Sequence, residues 1–258
     1  MASPSMGGMH SEKSVPDGGP SDPPVIAFFD VDNTLLRGAS IFHIGRGAFR
    51  RRLITLGDII SFGWKQLRFI AVGENHRHLE AVRERALELA GGHSVVELEK
   101  LANEVYDRYI EPKLWPETVA LAREHLAQGH RVVLVTATPE VIAKIIAERL
   151  NLTDALGTRI EVIDGLLTGH IDGHVLHAEH KAVAAREYAD AAGVDLEGCW
   201  AYTDSRNDIP LLELVGNRTV VNPDKALARY AKARGWRILQ LHPRSIRAAR
   251  KAVRRDSR

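Results

Sequence analysis

Val25-Ile26-Ala27-Phe28-Phe29-Asp30-Val31-Asp32-Asn33-Thr34 sets five apolar residues directly before two carboxylates and a turn. An apolar run of this length, closed by turn formers, reads as a buried central strand and its exit loop, where open parallel sheets place their ligands. Two carboxylates at such a strand end repel each other and lose hydration. The pair therefore calls for a cation, and a hard, oxygen-seeking metal such as Mg2+ is the natural answer.

Beyond this segment the rhythm is helical. Ile41, Ile44 and Ala48, then Leu53, Leu56, Ile59 and Ile60, then Leu79, Val82, Ala86 and Leu87, then Leu98, Leu101 and Val105 recur at helical spacing with no strand among them. This predicts a helical insert over 38–110. After Pro112 and Pro116 helix and strand alternate. Helices are expected over 117–127, 139–150, 181–192, 207–214 and 225–233, and strands over 131–135, 199–202, 219–221 and 236–239. A β-hairpin is expected over 160–171, where Asp164-Gly165 supplies turn residues. Such alternation defines an α/β protein with a doubly wound parallel sheet. Gly45-Arg46-Gly47 is too short for a nucleotide fingerprint and reads as loop.

The 258 residues, 45% of them apolar, can form one domain with a sizeable insert. Cys199 is the single cysteine, which excludes a disulfide framework and a multi-cysteine zinc site. Residues 1–24, rich in Ser, Pro, Gly and Asp, read as a disordered leader without the apolar core of a signal peptide. No run approaches the roughly 18 apolar residues of a spanning helix. The expected location is cytoplasmic. The net charge of +2 is uneven, because residues 243–258 carry seven Arg or Lys against one Asp and the rest of the chain is acidic. In that tail Arg244, Arg247, Arg250, Lys251, Arg254, Arg255 and Arg258 recur at near-helical spacing. Either a flexible solubilising tail or a basic helix results. The helix would give peripheral attachment to an anionic membrane surface, whereas nucleic acid is disfavoured because the tail has no aromatic residue for stacking.

Polar residues also follow two later strands: Thr136 after Val132-Val133-Leu134-Val135, and Thr203-Asp204-Ser205-Arg206-Asn207-Asp208 after Trp200-Ala201-Tyr202. Lys181 opens a helix between them. Strand exits on one edge of a parallel sheet converge, so Asp30, Asp32, Thr136, Asp204 and Asp208 can share a pocket with Lys181 reaching in. Taken singly, Asp-x-Asp is a turn, Thr136 an N-cap, Lys181 a solvated helix residue and Asp204 with Asp208 a first-turn pair.

Together and in this order, the segments resemble the haloacid dehalogenase superfamily over about residues 25–241. Val-Thr-Ala-Thr-Pro, Asp-Gly-Leu-Leu-Thr-Gly and Tyr-Thr-Asp-Ser-Arg-Asn-Asp-Ile-Pro-Leu-Leu-Glu are similar to its subfamily IB hydrolases, related to phosphoserine phosphatases. The resemblance implies a Rossmann-like core over 25–37 and 111–242, and an all-helical C1-type cap over 38–110. It also implies a Mg2+-dependent phosphatase that uses an aspartyl-phosphate. Asp30 would be the nucleophile and Asp32 the general acid and base, with Thr136 and Lys181 completing the catalytic set. Thr136, Ala137 and Lys181 would bind phosphate, helped by Thr34 and Asn207. Asp30, the backbone carbonyl of Asp32, Asp204 and Asp208 would hold the metal. The partner implied is a small phosphorylated substrate. Phosphoserine phosphatases usually carry a glutamate nine residues after the nucleophile, and here Ala39 stands there, so another small or lysophospholipid-type phosphate is equally open. A phosphotransferase or mutase on the same core, and an adaptor using the basic tail, are the rival readings. Oligomeric state is not legible.

Overall fold

A computed structural model describes residues 24–55, 57 and 90–256. The expected leader up to residue 23, and the insert helices expected from Leu56 through Leu87, lie outside them. β1 (Ile26–Phe29) is wholly buried, and its side chains alternate between two cores. Ala27 and Phe29 join one apolar cluster, Ile26 and Phe28 the other. The run is continuously apolar because helices cover the sheet on both faces.

Six parallel strands follow the order β3-β2-β1-β6-β7-β8, comprising β3 (Asp154–Thr158), β2 (Arg131–Pro139), β1, β6 (Trp200–Thr203), β7 (Asn217–Val221) and β8 (Arg237–Leu239). The chain winds outward from β1 to β3, then returns to the other side of β1. The switch point therefore falls between β1 and β6, which opens a crevice at their carboxyl ends. On one face lie α3 (Pro116–Ala127) and α4 (Glu140–Arg149), while α1 (Ser40–Arg50) and α2 (Val95–Val105) join the same apolar cluster, with α2 packed on α1 and α4. On the other lie α5 (Glu179–Ala191), α6 (Ile209–Leu214) and α7 (Lys225–Ala233).

Several expectations change. β3 was not foreseen, because Asp154-Ala155-Leu156-Gly157-Thr158 has little β-branched character and an internal glycine. That glycine has a packing reason, since a Cβ on Gly157 would lie 2.5 Å from the Glu140 Cα. β2 runs on past Val135 to Pro139 with a register shift, so Thr136 is a strand residue and not a helix cap. Gly45-Arg46-Gly47 lies inside α1 and is not a loop. Gly47 lets α1 approach α2, where any Cβ would overlap Val105 Cγ2.

The hairpin forms as expected from β4 (Ile160–Ile163) and β5 (Leu166–Ile171), with Asp164 at φ 51° and Gly165 at φ 77° making its turn. Its second strand is stitched to the segment before α2. Gly92 N donates to Leu167 O at 2.8 Å, Leu167 N to His93 O at 2.9 Å, and Val95 N to Gly165 O at 3.1 Å. The basic tail is helical over α8 (Pro243–Asp256) and docks by burying Ile246 against Trp115, Val221 and Leu241. Arg244, Arg247, Arg250 and Lys251 remain exposed.

Overpacking a tight helix crossing costs about 1–3 kcal/mol. Gly47→Val is expected to lower the free energy of unfolding by about 2 kcal/mol, read as a shift of the urea midpoint without a change in slope.

Candidate active site

The crevice at the switch point gathers the polar residues. Asp30 follows β1, and its N–H still donates to Tyr202 O at 2.9 Å, so the sheet itself fixes its backbone. Lys181, in the first turn of α5, donates to Asp30 Oδ1 at 2.6 Å and to Asp208 Oδ2 at 2.8 Å. Thr203 Oγ1 at the end of β6 donates to the same Asp208 oxygen at 2.6 Å. All three charged residues are buried: Asp30 is 4%, Lys181 3% and Asp208 1% exposed. Lys181 is thus not a solvated helix residue, and Asp208 is not an exposed dipole partner. An ammonium has three donors, so these two bonds leave one for an incoming oxygen.

A second set of bonds ties the Asp32 loop to the end of β2. Ser40 N donates to Asp32 Oδ1 at 2.8 Å, and Ser40 Oγ lies 2.6 Å from Thr138 Oγ1. Thr136 Oγ1 donates to Thr138 Oγ1 at 3.1 Å. Asn33 at φ 59° turns the loop, and its Oδ1 accepts from Gly38 N at 3.0 Å. Thr34 is buried, as is Ala137, whose carbonyl accepts from Thr158 Oγ1 at 2.9 Å. Asn207 stands in the turn over Arg206–Asp208, with its N–H on Ser205 Oγ at 3.2 Å. Ser40, Thr138 and Thr203 were missed by sequence reasoning. Thr138 was accessible to it, because residues two apart on a strand share a face; Ser40 gives no local signal.

Near the start of α5, His174 and His180 stack with ring centroids 4.5 Å apart.

A family model for haloacid dehalogenase-like hydrolases matches residues 27–213. Phosphoserine phosphatase SerB1 of Mycobacterium tuberculosis is 45% identical over 236 residues, covering 91% of this chain and 75% of that one. The histidinol-phosphatase of Neisseria meningitidis is 28% identical, covering 83% of this chain and 97% of its own length. A solved Bordetella pertussis protein of unknown function superposes with a TM-score of 0.75 at 31% identity, over 84% of this chain and 98% of that one. The chain belongs to the haloacid dehalogenase-like hydrolase family, and it is an enzyme of the phosphatase type, similar to phosphoserine phosphatases.

The charge balance of the crevice is unfavourable without a further cation. Burial, with Asp208 and Asp32 nearby, pushes Asp30 up to about 7 against the pull of Lys181. Burial, then Asp30 and Asp208, pushes Asp204 up to about 8. Burial opposes the charge on Lys181, but Asp30 and Asp208 outweigh it and hold the ammonium above its ordinary range. Asp208 Oδ1 is buried with no hydrogen-bond partner. An orphaned carboxylate oxygen beside surplus negative charge suits a hard divalent cation, with the rest of its shell drawn from backbone carbonyl and water.

Both raised carboxyls make the same prediction for metal-free protein. Their folded pKa values lie above their ordinary ones, so the stability they contribute is full below about pH 4 and is lost as pH rises through 7 to 8. With a chelator present, the calorimetric Tm is expected to fall between pH 5 and pH 8.5, and Asp204→Asn to make that fall shallower. An equal fall in both proteins contradicts the assignment.

Proposed function

We propose that the chain is a Mg2+-dependent phosphomonoesterase working through an aspartyl-phosphate, with residues 38–110 as its cap. The observation that carries this reading is the buried Lys181 ammonium, 2.6 Å from Asp30 Oδ1 at the carboxyl end of β1. It orients the Asp30 carboxylate and pulls it toward ionisation against the burial that raises it.

Asp30 attacks phosphorus, and the bond to the leaving alcohol oxygen breaks as that oxygen takes a proton from the Asp32 carboxyl. The Asp32 carboxylate then removes a proton from water, whose oxygen attacks the same phosphorus and releases Asp30 and inorganic phosphate. Thr136, the backbone of Ala137 and the remaining Lys181 donor bind the non-bridging oxygens, while Thr34 and Asn207 brace the surrounding loops. Ser40 holds the Asp32 carboxylate in place through its backbone N–H. Asp30, the Asp32 carbonyl and Asp204 are the proposed Mg2+ ligands, with Asp208 supporting through water. When bound, the metal neutralises charge on the transferring group. The exposed basic face of α8 is the proposed contact for an anionic membrane surface.

Asp30→Asn is expected to lower turnover of an aryl phosphate by about 10⁴-fold or more while the circular dichroism spectrum stays unchanged; near-normal turnover would sink the nucleophile. Chelation is expected to abolish activity and Mg2+ to restore it. In heavy-oxygen water, solvent oxygen is expected in the released phosphate, whereas its absence with a new phosphoester would indicate transfer.

A further inference from the structure

Beside the proposed catalytic residues lies a small apolar cleft of about 60 Å³, partly open to solvent. Ile41 and Ile44 of α1, Leu98 of α2, Ala137 of β2, Ile142 of α4 and Thr158 of β3 contribute to its walls, and among the described residues no charged side chain lines it. Its one hydroxyl is already committed: Thr158 Oγ1 donates to Ala137 O at 2.9 Å and accepts from Leu176 N at 3.1 Å.

Three of the residues lining the cleft are direct chain neighbours of residues in the proposed site. Ala137 follows Thr136, and Pro139, also in the lining, follows Thr138. Ile41 follows Ser40, whose N–H holds Asp32 and whose hydroxyl meets Thr138 at 2.6 Å. The aliphatic lining of the cleft therefore begins one residue away from Thr136, Thr138 and Ser40 along the chain. Ala39, one residue before Ser40, adds no charge at the junction.

We propose that this cleft receives an aliphatic group, so that the preferred substrate is a phosphomonoester of an alcohol bearing a short apolar chain and not a zwitterionic amino-acid phosphate. The proposal rests on the phosphomonoesterase reading above and names the substrate class of that site. An ammonium or carboxylate entering the cleft loses hydration and meets no compensating charge among the described residues that line it. Each methylene that enters gains the transfer free energy of apolar burial, about fourfold in affinity.

The test uses the full chain with Mg2+ and two matched series. Binding of methyl-, ethyl-, butyl- and hexylphosphonate is measured by calorimetry, and hydrolysis of the corresponding alkyl phosphates is compared with that of O-phosphoserine. Affinity is expected to rise about fourfold per methylene until the cleft is filled, and butyl phosphate to exceed phosphoserine in kcat/KM. Ile44→Asn is expected to lower the butyl-to-methyl affinity ratio by about tenfold. A flat phosphonate series in the unsubstituted protein, or a preference for phosphoserine, overturns the proposal. Chain-length-dependent binding without turnover supports the cleft and removes only the hydrolytic reading. If no phosphonate binds and no phosphate is cleaved, both fall together.

Discussion

One buried ammonium, shared between two carboxylates, governs the arrangement of the catalytic edge. Lys181 reaches Asp30 from α5 and holds Asp208 with the same nitrogen. Removing one member of a buried ionic set leaves the others without compensation, a cost of about 3–5 kcal/mol. Three separate elements are thereby locked in register: the exit of β1, the first turn of α5 and the turn into α6. The backbone before α5 shows how tightly this is held. Ala178 adopts φ 50° and ψ −121°, a conformation unfavourable for a residue with a Cβ, and the helix carrying Lys181 starts directly after it.

The sheet supplies the complementary constraint. Because β1 and β6 are neighbours across the switch point, Asp30 and Asp204 leave adjacent strands, and burial raises both pKa values, reinforced by Asp208 and Asp32 at Asp30 and by Asp30 and Asp208 at Asp204. The hydroxyl chain from Thr136 through Thr138 to Ser40 reaches the first residue of α1, which in turn grips Asp32. The residues proposed for phosphate binding and proton transfer therefore sit on segments that are physically joined. Asp32 is positioned from the insert side of the crevice, whereas Asp30 is positioned from the sheet.

The parallel sheet and its polar edge were legible because three core strands, β1, β2 and β6, run into residues that make no sense in an apolar layer. Asp30, Thr136, Asp204 and Asp208 were marked by that mismatch and Lys181 by its place at a helix start between them, and the structure brings Lys181 against Asp30 and Asp208. What was not legible depends on tertiary contact. β3 exists because β2 offers it an edge and Gly157 lets α4 approach, not through any propensity of its own. Ser40 acts through an N–H and a hydroxyl whose partners lie 8 and 98 residues away. The tail helix is fixed by Ile246 finding Trp115 and Val221, a pairing that periodicity alone cannot reveal.

The three backbone bonds between the hairpin and the segment leading into α2 have a mechanical consequence. Ser94 also begins α2 with a full capping box, its side chain accepting from Glu97 N while Glu97 accepts from Ser94 N, so the junction does not fray into a free linker. A displacement of α2 away from the sheet must either break those bonds or carry β4 and β5 with it. The hairpin and the second half of the insert are thus one lever, although more than fifty residues of sheet and helix separate them along the chain.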